Sequence, residues 1–349
     1  MPNVWAHILF GHTIMERIEE KNWLSDDEMR KWFNLGCQGP DFLFYHRFLP
    51  WHKSSVMNQL GTEMHNRECG PVLLDLLDSV SGRQTETEDR NAAAYALGFV
   101  LHHVLDRNMH PYVFSRSGFR KWDHQRFETA MDTIVASRLF GIETWKTPVW
   151  KDIAPSGPLP NVLLEAFENI AAVRYPELAS EIKREYWNEA LRDIASAQRL
   201  FFDPTGIRRL LTFGKIEPLS YRKNLPEYDW MNEQELPWLD PTDGKTLHTV
   251  SAWTLWEQAI EDGVAVTAAA LQMIRETQTP SNARTATAEL VLNRSFELRE
   301  AVEQLLGDRS YETGLPCSSG ASIRYADPIW PDGGIKHSDS DEAVGEKTG

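Results

Sequence analysis

The sequence feature that most constrains this chain is a set of histidines and carboxylates inside an apolar helical pattern, in residues 91–132. The segment reads NAAAYALGFVLHHVLDRNMHPYVFSRSGFRKWDHQRFETAMD. His102 and Asp106 are four residues apart, and so are His124 and Glu128, so each pair lies on one face of its own predicted helix. Because buried ionisable groups are costly without partners, we expect the two pairs to share one site.

His110 lies between these two pairs and directly precedes Pro111. A proline disfavours the helical conformation of the residue before it, so the first helix is predicted to end at His110. His103 points about 100° away from His102 around the same helix. We therefore expect His103 to support the site from behind or to serve packing.

The charge of the chain limits the classes of partner. The sequence has 349 residues, a formal net charge of −15 and a pI near 5.2. Broad electrostatic binding to nucleic acid or to an anionic membrane requires a basic surface, so the composition disfavours both. A local basic patch is still compatible with this charge.

The amino terminus and the cysteines indicate the compartment. The first residues lack the basic region of a secretory signal, and His7 and His12 interrupt their apolar run. No apolar stretch approaches the ~18 residues that a membrane-spanning helix requires. The three cysteines have no paired spacing, so a disulfide framework is not expected. We predict a cytoplasmic protein without a transmembrane segment.

Helical periodicity dominates the chain, and no alternating strand pattern is sustained. A capping-box pattern at Ser25 and Glu28 predicts a second helix that Gly36 closes. A helical stretch over residues 54–80 is predicted to break at Gly70 and Pro71. Further helices are predicted over residues 4–20, 161–175, 177–201, 251–277 and 285–306. The fold class is therefore all-α, a multi-helix bundle without a β domain.

The imidazoles and carboxylates of the first 130 residues or so form a candidate metal site. Any one of them alone is more typical of a structural residue, but together the two pairs and His110 favour metal binding. Zinc accepts mixed nitrogen and oxygen ligands, and three per ion with one open position is typical of catalytic zinc. The set suffices for two or three ions, with Asp106 as a candidate bridge. The candidate ligands are His7, Asp41, His65, His102, Asp106, His110, His124 and Glu128.

The chain is accordingly divided into four parts. Residues 1–202 are predicted to form a metal-binding helical core. Residues 203–247 hold several prolines and aromatic residues without a period and are predicted to be an ordered loop or cover. Residues 248–306 are predicted to pack on the core within the same domain. Residues 307–349, which end in an acidic run, are predicted to be an extended or disordered tail.

The order of these motifs resembles a known family. LGFVLHHVLDRNMHP, followed downstream by HQRFE, resembles the zinc-dependent phospholipase C family, which is all-α and similar to single-strand-specific zinc nucleases. The resemblance extends to His7 near the start of the first helix and to Asp41 in the segment LGCQGPD. It covers the chain well as far as HQRFE and fades beyond that motif.

The resemblance implies a distribution of zinc ligands. One ion would be held by Asp41, His65, His102 and Asp106. A second ion would be held by His110, His124 and Glu128. His7 with Asp106 would complete a third site, so two or three zinc ions are implied. His46 and His52 are alternatives to His65 in the first site.

The resemblance further implies a zinc-dependent phosphodiester hydrolase of phospholipase C type, in which metal-bound hydroxide attacks phosphorus. Asp41 is expected to orient or deprotonate the attacking water. The expected substrate is a phospholipid or a small phosphodiester, and no protein partner is indicated. The alternatives are a zinc nuclease for single-stranded nucleic acid, a non-enzymatic di-metal binder of the hemerythrin kind, and a domain that has lost catalysis.

Overall fold

The fold is built from α-helices, as the predicted all-α class requires. The computed structural model describes residues 3–83, 86–275, 285–330 and 336–337, with residues 285–292 and 336–337 described by their backbone alone. None of the described helices is long and apolar enough to cross a membrane. The α-helices are, in order, α1 Val4–Arg17, α2 Asp27–Gly36, α3 Val56–Asn66, α4 Cys69–Val80, α5 Thr87–Ser117, α6 Asp123–Phe140, α7 Asn161–Arg174, α8 Pro176–Ala179, α9 Arg184–Phe201, α10 Ile207–Leu211, α11 Ala252–Arg275 and α12 Thr285–Leu306.

Short elements connect the helices. The 3-10 helices are Lys21–Leu24, Gly39–Tyr45, Val149–Lys151, Glu217–Leu219 and Cys317–Ser319. The strands are β1 Trp238–Leu239, β2 Leu247–His248, β3 Tyr325–Ala326 and β4 Lys336–His337. Strand β1 pairs antiparallel with β2, and β3 with β4. Two such two-residue ladders do not amount to a β domain in the described part of the chain.

Helix α5 lies at the centre of the fold, and α1, α2, α4, α6, α7 and α11 all contact it. Its amino-terminal half is rich in alanine and allows α2 to approach closely. A Cβ added at Gly98 would lie 2.3 Å from the Phe33 carbonyl oxygen, and one at Gly36 would lie 2.1 Å from the Tyr95 carbonyl oxygen. The two glycines therefore set the backbone spacing between α2 and α5. The surrounding helices converge on the helix that bears most candidate ligands.

The prediction that the first ligand-bearing helix ends at His110 is wrong. Helix α5 continues through Pro111 to Ser117. A proline inside a helix removes one backbone hydrogen bond and leaves the carbonyl four residues earlier without a donor. That carbonyl belongs to Arg107, and it lies only 2.3 Å from the position of a Cβ at Gly314, which has a φ of +66°. The glycine thus allows a distant segment to pack against the carbonyl that the proline leaves free.

Arg107 connects α5 to the two carboxy-terminal helices. It is 5% exposed and donates to both carboxylate oxygens of Asp262 on α11, at 2.7 and 2.8 Å from Nη2. It also donates to the carbonyl oxygens of Leu305 and Leu306 at the end of α12. A bidentate charged pair of this kind gives both strength and orientation. Helices α11 and α12 are therefore held on α5.

Two predicted helix boundaries need correction. The side chain that caps α2 belongs to Asp26 rather than Ser25, and it accepts a hydrogen bond from the Met29 N–H at 2.8 Å. The break between α3 and α4 lies at Glu68, with a φ of 58°, rather than at Gly70 and Pro71. Pro71 lies in the first turn of α4, where its missing N–H would have had no helical partner.

The first part of the predicted tail is ordered in the structure. The Asp327 and Ile329 N–H groups donate to the carbonyls of Ser115 and Arg116, and the Trp330 indole N–H donates to the Ser117 carbonyl. These contacts satisfy carbonyl groups in the last turn of α5, which lack helical donors. Residues 327–330 thus pack against the end of α5, and residues 331–335 and 338–349 lie outside the described residues.

Candidate metal centre

Three candidate ligands lie in a row on α5. His102, Asp106 and His110 are spaced by four residues, and because α5 continues through Pro111 all three lie on one helix face. The side chains of all three are at most 2% exposed. His102 Nε2 lies 3.0 Å from Asp106 Oδ2, and His110 Nδ1 lies 3.8 Å from the same oxygen. Asp106 is thus the central carboxylate of the row.

Helix α6 brings a second pair to one end of this row. His124 Nε2 lies 2.5 Å from Glu128 Oε1, and Glu128 Oε1 lies 4.0 Å from His110 Nε2. The His124 side chain is 21% exposed, more than that of any other candidate ligand. The site therefore opens toward solvent on the side of His124.

Helix α1 contributes His7 from the opposite side of Asp106. His7 Nε2 lies 3.3 Å from Asp106 Oδ1, and its ring stacks on the His102 ring with centroids 4.1 Å apart. The start of α1 is held by Asp132, whose carboxylate accepts from the N–H groups of Trp5 and Ala6 at 2.8 and 2.9 Å. A carboxylate at a helix amino terminus satisfies free N–H groups there. Asp132 thereby fixes the helix that positions His7.

Asp41 and His65 form the remaining pair. Asp41 lies in the 3-10 helix Gly39–Tyr45, and its Oδ1 lies 3.0 Å from His65 Nε2. Burial disfavours the charged form of His65, but the hydrogen bond with Asp41 raises the pKa of His65 above its usual value. Gly39 has a φ of +49°, and a Cβ at this position would lie 2.2 Å from the His102 ring. The backbone near Asp41 therefore packs directly against His102.

The eight candidate ligands fall into three groups. Within each group, all the donor atoms lie within 4.8 Å of one another. His102 belongs to two of the groups and connects them. The groups are His7, His102 and Asp106; Asp41, His65 and His102; and His110, His124 and Glu128.

Hydrogen bonds on the far side of the rings orient the histidines. Nδ1 of His65, His102 and His110 each lies 2.6–3.0 Å from a backbone carbonyl oxygen, of Gly61, Cys37 and Tyr311 respectively. A carbonyl only accepts, so Nδ1 is the donor in each ring. The neutral rings of His102 and His110 then present the lone pair of Nε2 to the site, whereas Nε2 of His65 faces Asp41 Oδ1. Such a bond on the second nitrogen is typical of histidines that bind metals.

Several buried donor atoms in the site have no hydrogen-bond partner. They are both ring nitrogens of His7, Nε2 of His102 and His110, one oxygen of Asp41 and both oxygens of Asp106. His102 Nε2 faces Asp106 Oδ2 as one acceptor faces another, without hydrogen-bond geometry. Unsatisfied buried polar atoms are rare and costly in native proteins. A cation among these lone pairs would satisfy them, so the residues present fit a metal ion.

The protonation states also fit a metal site. Burial, together with the nearby His102, lowers the pKa of His7 to about 4. Burial likewise lowers the pKa of His110 and of His124 well below the usual value. Burial would raise the pKa of Asp106, but the neighbouring histidines outweigh this effect and hold it well below its usual value. Neutral imidazoles around an ionised carboxylate are the forms that bind metal ions.

The structure distinguishes among the histidines that the sequence left as alternatives. His46 binds Glu189 and Ser55 through its two ring nitrogens, and His52 is exposed, so His65 is the histidine beside Asp41. His103 is buried with Nε2 bonded to the Arg309 carbonyl at 2.8 Å, away from the three groups. It supports the segment that follows α12.

Two residues that position the site were missed from sequence. The Tyr311 ring packs on His65 and His103 with centroids 4.9 and 4.5 Å apart, and its carbonyl holds His110. No local pattern marks Tyr311, which lies in the predicted tail. Asp132 had a signal, because it follows Glu128 by four residues and so shares its helix face.

These residues offer nitrogen and carboxylate oxygen donors in groups of three. That donor chemistry suits zinc with an open position for water or substrate. Each group combines one buried carboxylate with two imidazoles, so a negative charge lies beside the position of the cation that the group would hold. A metal ion held by such a group would polarise a bound oxygen atom and lower the pKa of bound water.

Comparison with known proteins assigns the chain to a family. The family model described as zinc dependent phospholipase C matches residues 6–191, a range that contains all eight candidate ligands. No curated protein and no solved structure gives a significant match. The match covers more than half of the 349 residues. The chain therefore belongs to the zinc-dependent phospholipase C family.

Proposed function

We propose that the protein is a phospholipase C-like phosphodiesterase that hydrolyses a phosphate ester at the centre formed by His7, Asp41, His65, His102, Asp106, His110, His124 and Glu128. The observation that supports this most directly is the set of buried, unpartnered nitrogen and oxygen atoms that converge around Asp106. Family membership supports zinc as the metal and a phospholipid as the substrate class.

We assign the ligands in the groups that their distances define. His110, His124 and Glu128 would hold one zinc ion at the open end of the site. Asp41, His65 and His102 would hold a second. His7, with Asp106 and the shared His102, is the candidate for a third. The two oxygens of Asp106 face His7 and His102 separately, so this carboxylate is suited to bridge neighbouring ions.

Bound zinc ions lower the pKa of a water molecule and neutralise charge on the phosphoryl oxygens. The chain provides the other requirements. One Asp41 oxygen lies against His65, and the other is buried without a partner. The second oxygen can therefore accept a proton from the water that attacks phosphorus. The exposed edge of His124 gives the substrate its access. Burial of the remaining ligands keeps bulk water from the reacting atoms.

The experiment compares the zinc-loaded wild type with the Asp106→Asn variant on a soluble choline phosphodiester. The variant keeps the shape of the side chain and removes its charge, so we expect activity to fall at least about a hundredfold with loss of bound zinc. The control is Asp240→Asn, which alters a partly exposed His–Asp pair with the same 3.0 Å separation, outside the three groups. Unchanged turnover in Asp106→Asn, or faster cleavage of single-stranded DNA than of the choline ester, would refute the proposal.

A further inference from the structure

A surface of unusual composition lies at the end of α9 and along α10. Residues 199–215 read RLFFDPTGIRRLLTFGK, and four of their large apolar side chains point into solvent. Ile207 is 57% exposed, Leu210 77%, Leu211 72% and Phe213 93%. Isolated exposed apolar residues are common, but four within one short segment indicate an interaction surface. We call it the 199–215 surface.

The same surface is basic in a strongly acidic protein. It contains four cationic side chains, Arg199, Arg208, Arg209 and Lys215, against the single carboxylate of Asp203. That carboxylate accepts from the N–H groups of Arg208 and Arg209, at 3.1 and 2.8 Å, and so serves as a cap for α10. Within the part of the chain that the structure describes, none of the four cations forms an ion pair with a carboxylate. Arg199 lies over the Trp150 ring, and Arg208 donates to the Arg199 and Leu200 carbonyls. Their charge is therefore available to a partner.

We propose that the 199–215 surface docks the protein onto an anionic phospholipid surface. Apolar side chains flanked by cations match the two layers of such a membrane, with hydrocarbon below and negative head groups above. A second copy of this chain fits less well, because a symmetric contact would bring the same cations together. Charge complementarity thus favours lipid over self-association.

Packed side chains connect this surface to the metal centre. The end of α9 lies against the segment that contains Asp41, because Gln198 donates to the Tyr45 hydroxyl at 3.1 Å. Phe201 contacts Phe48 edge to face, with centroids 6.3 Å apart. The Arg208 guanidinium donates in turn to the Leu200 carbonyl at 2.9 Å, which fixes α10 on the end of α9. These contacts fix the 199–215 surface to the segment that carries Asp41.

The test measures binding of the zinc-loaded, full-length protein to sedimented vesicles. Vesicles of phosphatidylcholine with phosphatidylglycerol are compared with vesicles of phosphatidylcholine alone. We expect binding to the anionic vesicles that weakens as salt is added. Arg209→Gln with Lys215→Gln should weaken it about 30-fold, since each cation near an anionic surface contributes about 1 kcal/mol. Leu210→Ser, Leu211→Ser and Phe213→Ser combined should weaken it more than about a hundredfold.

The control is Val173→Ser with Leu247→Ser, which removes apolar side chains that are 62% and 63% exposed elsewhere on the protein. This control should bind vesicles like the wild type, and all variants should hydrolyse a soluble phosphodiester at the wild-type rate. Equal binding by the triple variant and the wild type would overturn the proposal, as would no preference for anionic vesicles. Self-association that the triple variant abolishes would overturn it in favour of a second copy.

The inference deepens the proposed function and rests on it for the choice of lipid. Vesicle binding is read from sedimentation and not from turnover, however, so the two proposals fail separately. Salt-sensitive binding without hydrolysis of any phosphodiester would leave the docking surface standing and refute the proposed function. Hydrolysis of the soluble ester without binding to anionic vesicles would support the proposed function and refute the docking surface.

Discussion

Gly39→Ala tests the contact between the Asp41 segment and His102. Gly39 has a φ of +49°, and a Cβ there would lie 2.2 Å from Cδ2 of the His102 ring. The left-handed conformation costs an alanine about 1 kcal/mol. Displacement of a ring in a closely packed site costs about 1–3 kcal/mol more. We therefore expect the free energy of unfolding to fall by about 2–4 kcal/mol.

The chain offers a matched control in Gly141→Ala. Gly141 has a φ of +65°, but no atom lies within 4 Å of an added Cβ. This variant has the unfavourable backbone conformation without the clash, so we expect its free energy of unfolding to fall by about 1 kcal/mol. The difference between the two variants isolates the contact with His102.

Both variants are measured by urea unfolding and by zinc affinity in competition with a chelator. Because Gly39→Ala shifts a ring shared by two ligand groups, its zinc affinity should fall about 10- to 100-fold, whereas Gly141→Ala should bind zinc like the wild type. If Gly39→Ala loses no more stability than Gly141→Ala and binds zinc equally well, the His102 ring does not lie against Gly39.

Three further predictions concern the supports of the site. Asp132→Asn replaces an oxygen that accepts from an N–H and from the Tyr221 hydroxyl, so the free energy of unfolding in urea should fall by about 2 kcal/mol. Tyr311→Leu removes ring contacts to three histidines, so the free energy of unfolding should fall by about 2 kcal/mol and zinc binding should weaken. His7 stays neutral in the folded protein down to about pH 4 but takes up a proton near pH 6.5 when unfolded. The metal-free protein should therefore lose up to about 3 kcal/mol between these pH values on acidification, and His7→Gln should lose less.

The sequence alone predicted the helical class and the faces that bear the ligands. His102 with Asp106 and His124 with Glu128 each share a helix face because spacing by four is a local property of a helix. The prediction that the first ligand-bearing helix ends at His110 was wrong. Pro111 is tolerated inside α5 because the Arg107 carbonyl, which it leaves without a donor, lies against Gly314. That contact depends on the tertiary fold and has no local signal.

The supports of the site were the least predictable part. His110 bonds to the Tyr311 carbonyl across 201 residues of sequence, and the acceptor is a backbone atom that any residue could provide. Asp132 could have been found, because it continues the spacing of His124 and Glu128, but the helix start that it caps lies 126 residues away. Periodicity shows which residues share a face, whereas the partner of that face is decided by packing.

The most direct test of the account is the zinc content of the purified, full-length protein after exhaustive dialysis, measured by elemental analysis beside the Asp106→Asn variant. Three groups of buried donors around Asp106 predict at least two tightly bound zinc ions in the wild type and a lower content in the variant. A folded wild type that retains no zinc and takes none up when zinc is added would contradict the account.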